Sequence, residues 1–219
     1  MGGTRPFAFV FLGGTFPTAY SPKSDLVAAT GIGVGNSYKN VGLIGIFNVN
    51  DVSNFKLFSA SFTASRHIGR GTSMSVGAIN VLQQKGLDVE ASFYVALSHA
   101  SQKLKSKTPG YSRLSYTVGV GTGRFNDKSP KDISVGKSNH GTLVFAGISY
   151  EIIKNVNVNA EWSGINAHFS FGWKPPKFSK NSKFRMPSIN LGVADLFRTS
   201  GDHPRFIASI GKSFLLSKK

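Results

Sequence analysis

Cysteine is absent from the 219 residues, which excludes disulfides, thiolate metal sites and a cysteine nucleophile but does not fix a compartment. No stretch approaches the ~20 consecutive apolar residues of a transmembrane helix, so a membrane location would require strands. Acidic residues are scarce: Asp and Glu total 10 against 26 Lys and Arg, a net charge of +16. Charged residues of both signs make up only 16%, below the roughly 25% of ordinary globular chains. Gly (25) and Phe (18) are abundant instead, together with Ser, Asn and Thr. That balance suits a protein with one greasy face and one wet face. The length suits one large all-β unit, and residues 1–219 are read as a single domain.

Strict apolar/polar alternation recurs along the chain and marks half-buried strands. Phe58, Ala60, Phe62 and Ala64 alternate with Ser59, Ser61, Thr63 and Ser65. Leu114, Tyr116, Val118 and Val120 alternate with Ser115, Thr117, Gly119 and Gly121. Val156, Val158, Ala160 and Trp162 alternate with Asn157, Asn159 and Glu161, and residues Ile165–Trp173 repeat the pattern. The apolar run Phe7–Leu12 is read as a first strand, since its basic flank and small-residue motif are poor for a secretory signal. Further segments at Leu26–Gly35, Gly42–Val49, Ser73–Leu82, Glu90–Ser98, Leu143–Ile152, Ser188–Ala194 and Phe206–Leu216 bring the total to about twelve. The stretch Asp88–Lys105 holds good helix formers and is the one ambiguous segment; its alternation favours a strand. All nine prolines fall between segments or at their ends, where a missing N–H breaks no ladder.

Alternation alone does not separate a soluble sandwich from a membrane barrel. The polar face does. It carries Gly, Ser, Asn, Thr and Ala with few charges, as a concave barrel interior allows, while Val, Leu, Ile and Phe occupy the other face. Trp162, Trp173, Phe214 and Tyr150 gather towards strand ends, as an interfacial girdle requires. The expected fold is therefore all-β: a closed antiparallel transmembrane β-barrel of about 12 strands.

The last segment carries a resemblance. Ser209, Gly211, Phe214 and Leu216 fill the places of the C-terminal assembly signal of bacterial outer-membrane barrels, and the chain as a whole resembles a porin-like member of that class. Two departures stand out: the chain continues with Ser217-Lys218-Lys219, and Lys212 falls on the lipid face, where it would have to snorkel. The resemblance implies a bacterial outer-membrane location, contact with membrane lipid and lipopolysaccharide, handling by the barrel-assembly machinery, and a capacity to oligomerise.

Catalytic and cofactor signatures are weak. The strings Gly31–Gly35 and Gly119–Gly123 lack the spacing and following helix of a dinucleotide loop, and Gly-Lys-Ser at 136–138 and 211–213 lacks the P-loop glycine. His67, His99, His140, His168 and His203 show no metal spacing, and no cofactor or metal is expected. Nucleic-acid recognition is disfavoured, since no recognition helix or aromatic–basic interleaving occurs. Glu90, Glu151, Glu161, His67, His168, Asn157, Asn159 and Asn166 share parity with the small polar residues and are the lumen-lining candidates. Lys103, Lys105, Lys107, Lys177, Lys180, Lys183 and Arg185 form basic connections suited to anionic surfaces. The reading is a narrow passive porin-like channel for small solutes, anionic ones included, or a structural barrel, and not an enzyme. A soluble basic β-rich shell component and a lipid-modifying barrel enzyme are the alternatives.

Overall fold

The computed structural model describes residues 5–85, 90–108, 110–176 and 186–216. Twelve antiparallel strands form one closed sheet in which each strand pairs with its sequence neighbours and the last pairs with the first. They are β1 (Phe7–Phe16), β2 (Asp25–Gly35), β3 (Gly42–Asp51), β4 (Lys56–Gly69), β5 (Thr72–Val81) and β6 (Ser92–Ala100). The ring continues with β7 (Leu114–Gly121), β8 (Val144–Ile153), β9 (Val156–Trp162), β10 (Ala167–Trp173), β11 (Ser188–Ala194) and β12 (Arg205–Leu215). Within the ambiguous segment, Ser92–Ala100 is a strand. Closure runs from Phe7 opposite Leu215 to Phe16 opposite Phe206. Among the described residues no helix is long and apolar enough to cross a membrane, and a closed ladder leaves no edge for lipid to solvate.

The register assigns the two faces. Ser61, Ser75, Ala96, Thr117, Ser149, Asn159 and Ser170 point inward, while their chain neighbours point out. Phe62 (49%), Phe93 (57%), Phe169 (38%) and Phe171 (48%) are exposed on the outer wall. Leaving such side chains in water forgoes roughly 1.5–3 kcal/mol each, and an extended apolar belt of this kind marks a membrane surface. The soluble sandwich, in which those rings would be interior, is set aside. Few hydrophobic residues are buried at all, Val49, Ala96, Phe125 and Ala194 among them, so the inside is a lumen and not a packed core.

One part of the inner face departs from the expected small polar lining. Phe7, Phe9 and Phe11 of β1 point inward, as do Ile44 and Ile46 of β3. Glycines of β2 make room for two of these rings: a Cβ built on Gly31 would lie 2.5 Å from Phe9, and one on Gly33 2.2 Å from Phe7. The lumen therefore has an apolar side (β1–β3) facing a polar side (β7–β10).

The end where β1 begins and β12 finishes is called the lower end here. It carries the two-residue turns Arg70-Gly71 and Lys154-Asn155. The upper end carries the longest connection, 122–143, which contains a 3-10 turn (Gly123–Phe125) and α1 (Pro130–Ser134). A long connection also closes β6 to β7 at the lower end, so loop length alone does not sort the two ends.

Candidate functional site: the lumen and its upper mouth

The longest connection folds into the barrel before it crosses the mouth. Phe125 is buried and stacks on the inward ring of Phe145 at 4.4 Å, with Tyr94 edge-on at 6.1 Å. Gly123 takes φ +57 here, and a Cβ built on it would meet Ser92 Oγ at 2.4 Å. The next residue, Arg124, lines a cavity of ≈ 450 Å³ together with Ser115, Thr117, Ser149, Asn159, Glu161 and His168.

Beyond that point the connection runs to the opposite wall. Ser129 caps α1, its Oγ accepting from the Asp132 N–H at 3.1 Å, with Pro130 in the first turn; this is the ordinary chemistry of a helix start. Asp132 is 4% exposed. Its Oδ1 accepts from the Tyr20 hydroxyl at 2.6 Å and from the Gly201 N–H at 2.8 Å. Lys137 stands 3.4 Å from the same oxygen and donates to the Gly201 carbonyl. Tyr20 belongs to the β1–β2 connection, half the ring away from β7 and β8, and Gly201 to the β11–β12 connection, a third of the ring away. The 122–143 segment is thus a strap across the upper mouth, latched by one carboxylate.

Burial opposes charge on Asp132, but the hydrogen bonds from Tyr20, Ser129, Gly201 and Lys137 outweigh it and hold the carboxyl below its usual range. Burial likewise works against a charged Lys137, yet Tyr20 and Asp132 hold its ammonium above the usual lysine range. The Tyr20 phenol is pushed up by burial and by the neighbouring carboxylate. The latch at neutral pH is a carboxylate, an ammonium and a neutral phenol.

Beneath the strap, polar and charged side chains gather inside the barrel. Glu161 and His168 are cross-strand neighbours on β9 and β10. His168 Nδ1 accepts from the Asp195 N–H at 3.3 Å, and Arg205 Nε donates to Asp195 Oδ2 at 2.6 Å. Arg124 enters from the strap side. A second cavity of ≈ 640 Å³ opens lower down, lined by Phe11, Glu151, Asn157, Asn190 and Ser209, and Asn159 borders both cavities.

The other sequence candidates separate into groups. Asn157, Asn159, Glu161 and His168 line the lumen; the two amides donate to Ser149 Oγ and Ser170 Oγ, both at 3.2 Å. Glu151 points inward at the lower end but is 4% exposed; its oxygens accept from the Lys107 N–H at 2.9 Å and the Asn155 N–H at 3.3 Å. It pins a loop to a turn. His67 lies at the lower rim against the Tyr38 ring, 4.6 Å between centroids. Two placements are corrected. Glu90 lies outside any strand, exposed at the upper rim, because β6 begins only at Ser92. Asn166 lies in the β9–β10 connection, 1% exposed, where its Nδ2 donates to the Phe197 carbonyl at 2.6 Å and its Oδ1 accepts from the Phe197 N–H at 2.9 Å. It ties two upper loops together and borders neither of the two cavities described. Lys103, Lys105 and Lys107 are exposed in the lower β6–β7 connection; Lys177, Lys180, Lys183 and Arg185 lie outside the described residues. On β12, Ser209 and Gly211 face inward and Phe214 faces outward, with Leu216 just past the strand end.

Charge divides along the barrel axis. Asp25, Asp51, Glu90, Asp127, Asp132, Glu161, Asp195 and Asp202 all lie in the upper half, amid basic residues that nearly balance them. Among the described residues the lower half holds one carboxylate, the engaged Glu151, against Arg5, Lys39, Arg66, Arg70, Lys103, Lys105, Lys107, Arg113, Lys154, Lys174 and Lys212.

A closed 12-stranded antiparallel barrel with an apolar outer belt defines the class of bacterial outer-membrane β-barrels, and the outer membrane is where such a barrel resides. No family model matches the chain, and no curated protein matches it in sequence. Among solved structures, outer membrane phospholipase A from Escherichia coli superposes with a TM-score of 0.45 at 8% identity, over 96% of this chain and 90% of that one. The Salmonella typhi outer membrane phospholipase dimer with bound calcium gives 0.44 at 8% identity, over 95% and 90%. The sequence reading of a non-enzymatic barrel is corrected at this point: the solved barrels on which the chain superposes are phospholipases, and the non-enzyme reading is withdrawn. The likeness concerns the fold alone, and no residue role is carried over from it.

One hydroxyl–imidazole pair on the outer wall escaped the sequence reading. Thr72 and His99 are cross-strand partners on the outer wall near the lower end, with Thr72 Oγ1 and His99 Nδ1 2.9 Å apart and the Tyr116 ring 5.2 Å from the imidazole. Its only sequence signal is parity: His99 shares the register of Phe93, Val95 and Leu97.

Proposed function

We propose that the barrel is a narrow passive conduit for small solutes, favouring anions, whose upper mouth is restricted by the latched strap. The observation that carries this reading is that Arg124 and Glu161, with the imidazole of His168, line a cavity inside the barrel under that strap. Lumens lined by titratable groups shape ion selectivity, and a strongly basic lower entrance raises the local concentration of anions. Reconstitution in a planar bilayer tests it. A small, anion-selective conductance is expected, enlarged by Asp132→Ala; a correctly folded sample that passes no current, with or without that change, leaves a structural barrel instead.

A second reading, a lipid-modifying enzyme, is favoured by the Thr72–His99 pair, because a group that acts on lipid must face lipid. Among the described residues no carboxylate orients the imidazole, which weakens the pair as a nucleophile–base couple. Phospholipid hydrolysis that disappears in His99→Ala and in Thr72→Val supports it; hydrolysis that survives both, or none in the unaltered protein, ends it. The β12 residues Ser209, Gly211, Phe214 and Leu216 support recognition by the barrel-assembly machinery, for which Phe214→Ala should lower the yield of assembled barrel in cells.

A further inference from the structure

We infer that the lower rim is a collar for the phosphate headgroups of anionic phospholipid in the leaflet at that end. The inference is independent of whether the lumen conducts. It starts from the two cations that interrupt the outer wall. Arg66 of β4 lies opposite Met74, between Ala64 and Ile68 on the same face, and is exposed. Lys212 of β12 lies opposite Val10, with its ammonium 5.3 Å from the centre of the Phe214 ring. Long basic side chains rising from an apolar wall run their stems along it and place their heads at the headgroup level. Both stand near the lower end of their strands, so both heads reach the same leaflet. Arg70 and Lys154 in the two-residue turns stand just below them, both exposed.

The partner follows from charge. Among the described residues the lower half has a large basic excess and one carboxylate, already engaged by backbone N–H groups, whereas the upper half is close to balanced. Basic residues beside a bilayer are attracted to anionic headgroups within about a Debye length. Aromatic side chains sit at the same level, with Lys174 5.6 Å from the Tyr111 ring and Trp173 exposed on the outer wall, as at a membrane interface. Both two-residue turns, Arg70-Gly71 and Lys154-Asn155, lie at this end, and turns of that length belong to the periplasmic end of such barrels; on that placement the lipid is a phospholipid of the periplasmic leaflet. Lipopolysaccharide, which the basic connections suggest from sequence alone, occupies the opposite leaflet.

Native mass spectrometry of the full chain, from micelles doped with equal phosphatidylglycerol and phosphatidylcholine, tests the collar. Phosphatidylglycerol adducts should exceed phosphatidylcholine adducts several-fold. The triple change Arg66→Gln, Arg70→Gln, Lys212→Gln should bring the two to parity, while Lys23→Gln, Lys85→Gln, Arg198→Gln at the upper end should leave the preference intact. Far-ultraviolet dichroism and heat-modifiable gel mobility confirm that each variant is folded; if the lower triple fails to fold, the two-site change Arg66→Gln, Lys212→Gln is read instead. Equal retention of both lipids by the unaltered protein overturns the proposal. So does a preference lost only with the upper triple, displacement of the lipid by millimolar inorganic phosphate, or stronger retention of added lipopolysaccharide through the lower rim.

Discussion

Asp132 concentrates more consequence than any other side chain in the structure. Its pKa is depressed on folding, so the latch gains stability above the unfolded carboxyl value of about 3.8 and loses it as pH falls through the lower folded value. Lys137 is raised, so its contribution is complete below the unfolded lysine value of about 10.5 and is lost as pH climbs through the higher folded one. The strap should therefore hold between mildly acidic and mildly alkaline pH and loosen at both extremes. Hydrogen exchange of residues 123–141 against pH checks this, and Asp132→Asn should remove the acid limb and speed exchange at neutral pH. Removing one partner of such a pair costs about 3 kcal/mol, felt locally. The glycines under β1 make a second residue-scale prediction. At Gly33 a new Cβ meets chiefly the far edge of the Phe7 ring, which can swing into the lumen. At Gly31 it also meets the Gly45 carbonyl at 2.7 Å, which cannot. Gly31→Ala should cost roughly 1–3 kcal/mol, more than Gly33→Ala, in urea-unfolding midpoints measured in lipid vesicles.

Elements were legible wherever the two faces of a strand differ. β4, β7, β9 and β10 alternate large apolar with small polar residues, and the outer and inner sets read from their sequences are those the register assigns. β1 and β3 were legible as strands, but their faces were not, because Phe7, Phe9 and Phe11 face inward while Val10 and Leu12 face out; a period of two has no contrast when both faces are apolar. Glu90 and Asn166 went astray for a different reason: parity was carried one or two residues past the strand ends, where the backbone has already turned. The strap left one local trace, Ser129-Pro130-Lys131-Asp132, which is a capping sequence, but nothing local says that a loop reaches the far wall. Turns respond to local chemistry and can be tested locally. Asn155 closes the β8–β9 turn at φ 66, a conformation that Asn and Gly tolerate and β-branched residues do not. Asn155→Gly should be nearly neutral and Asn155→Val should cost roughly 1–2 kcal/mol, again read from unfolding midpoints.

At the scale of the molecule, two asymmetries are superimposed on a regular barrel. Around its circumference the lumen changes from the phenyl-lined wall of β1–β3 to the amide- and hydroxyl-lined wall of β7–β10. Along its axis it passes from a strapped, nearly neutral upper mouth to an open-charged basic rim. The composition announced the basic excess, but the sequence order of strands was needed to learn that the excess lies at one end. The conduit, the strap and the collar all require that the apolar wall touches hydrocarbon and the small polar wall encloses water. Because the chain has no cysteine, single introduced thiols can report that contrast without background. Phe62→Cys, Val118→Cys and Phe171→Cys, labelled with a fluorophore and refolded in vesicles, should be strongly quenched by brominated acyl chains. The paired inward variants Ser61→Cys, Thr117→Cys and Ser170→Cys should escape that quenching, and a small water-soluble thiol reagent should reach them instead. Quenching of the second set and water access to the first would contradict the barrel's orientation of its faces, and with it the conduit, the strap and the collar.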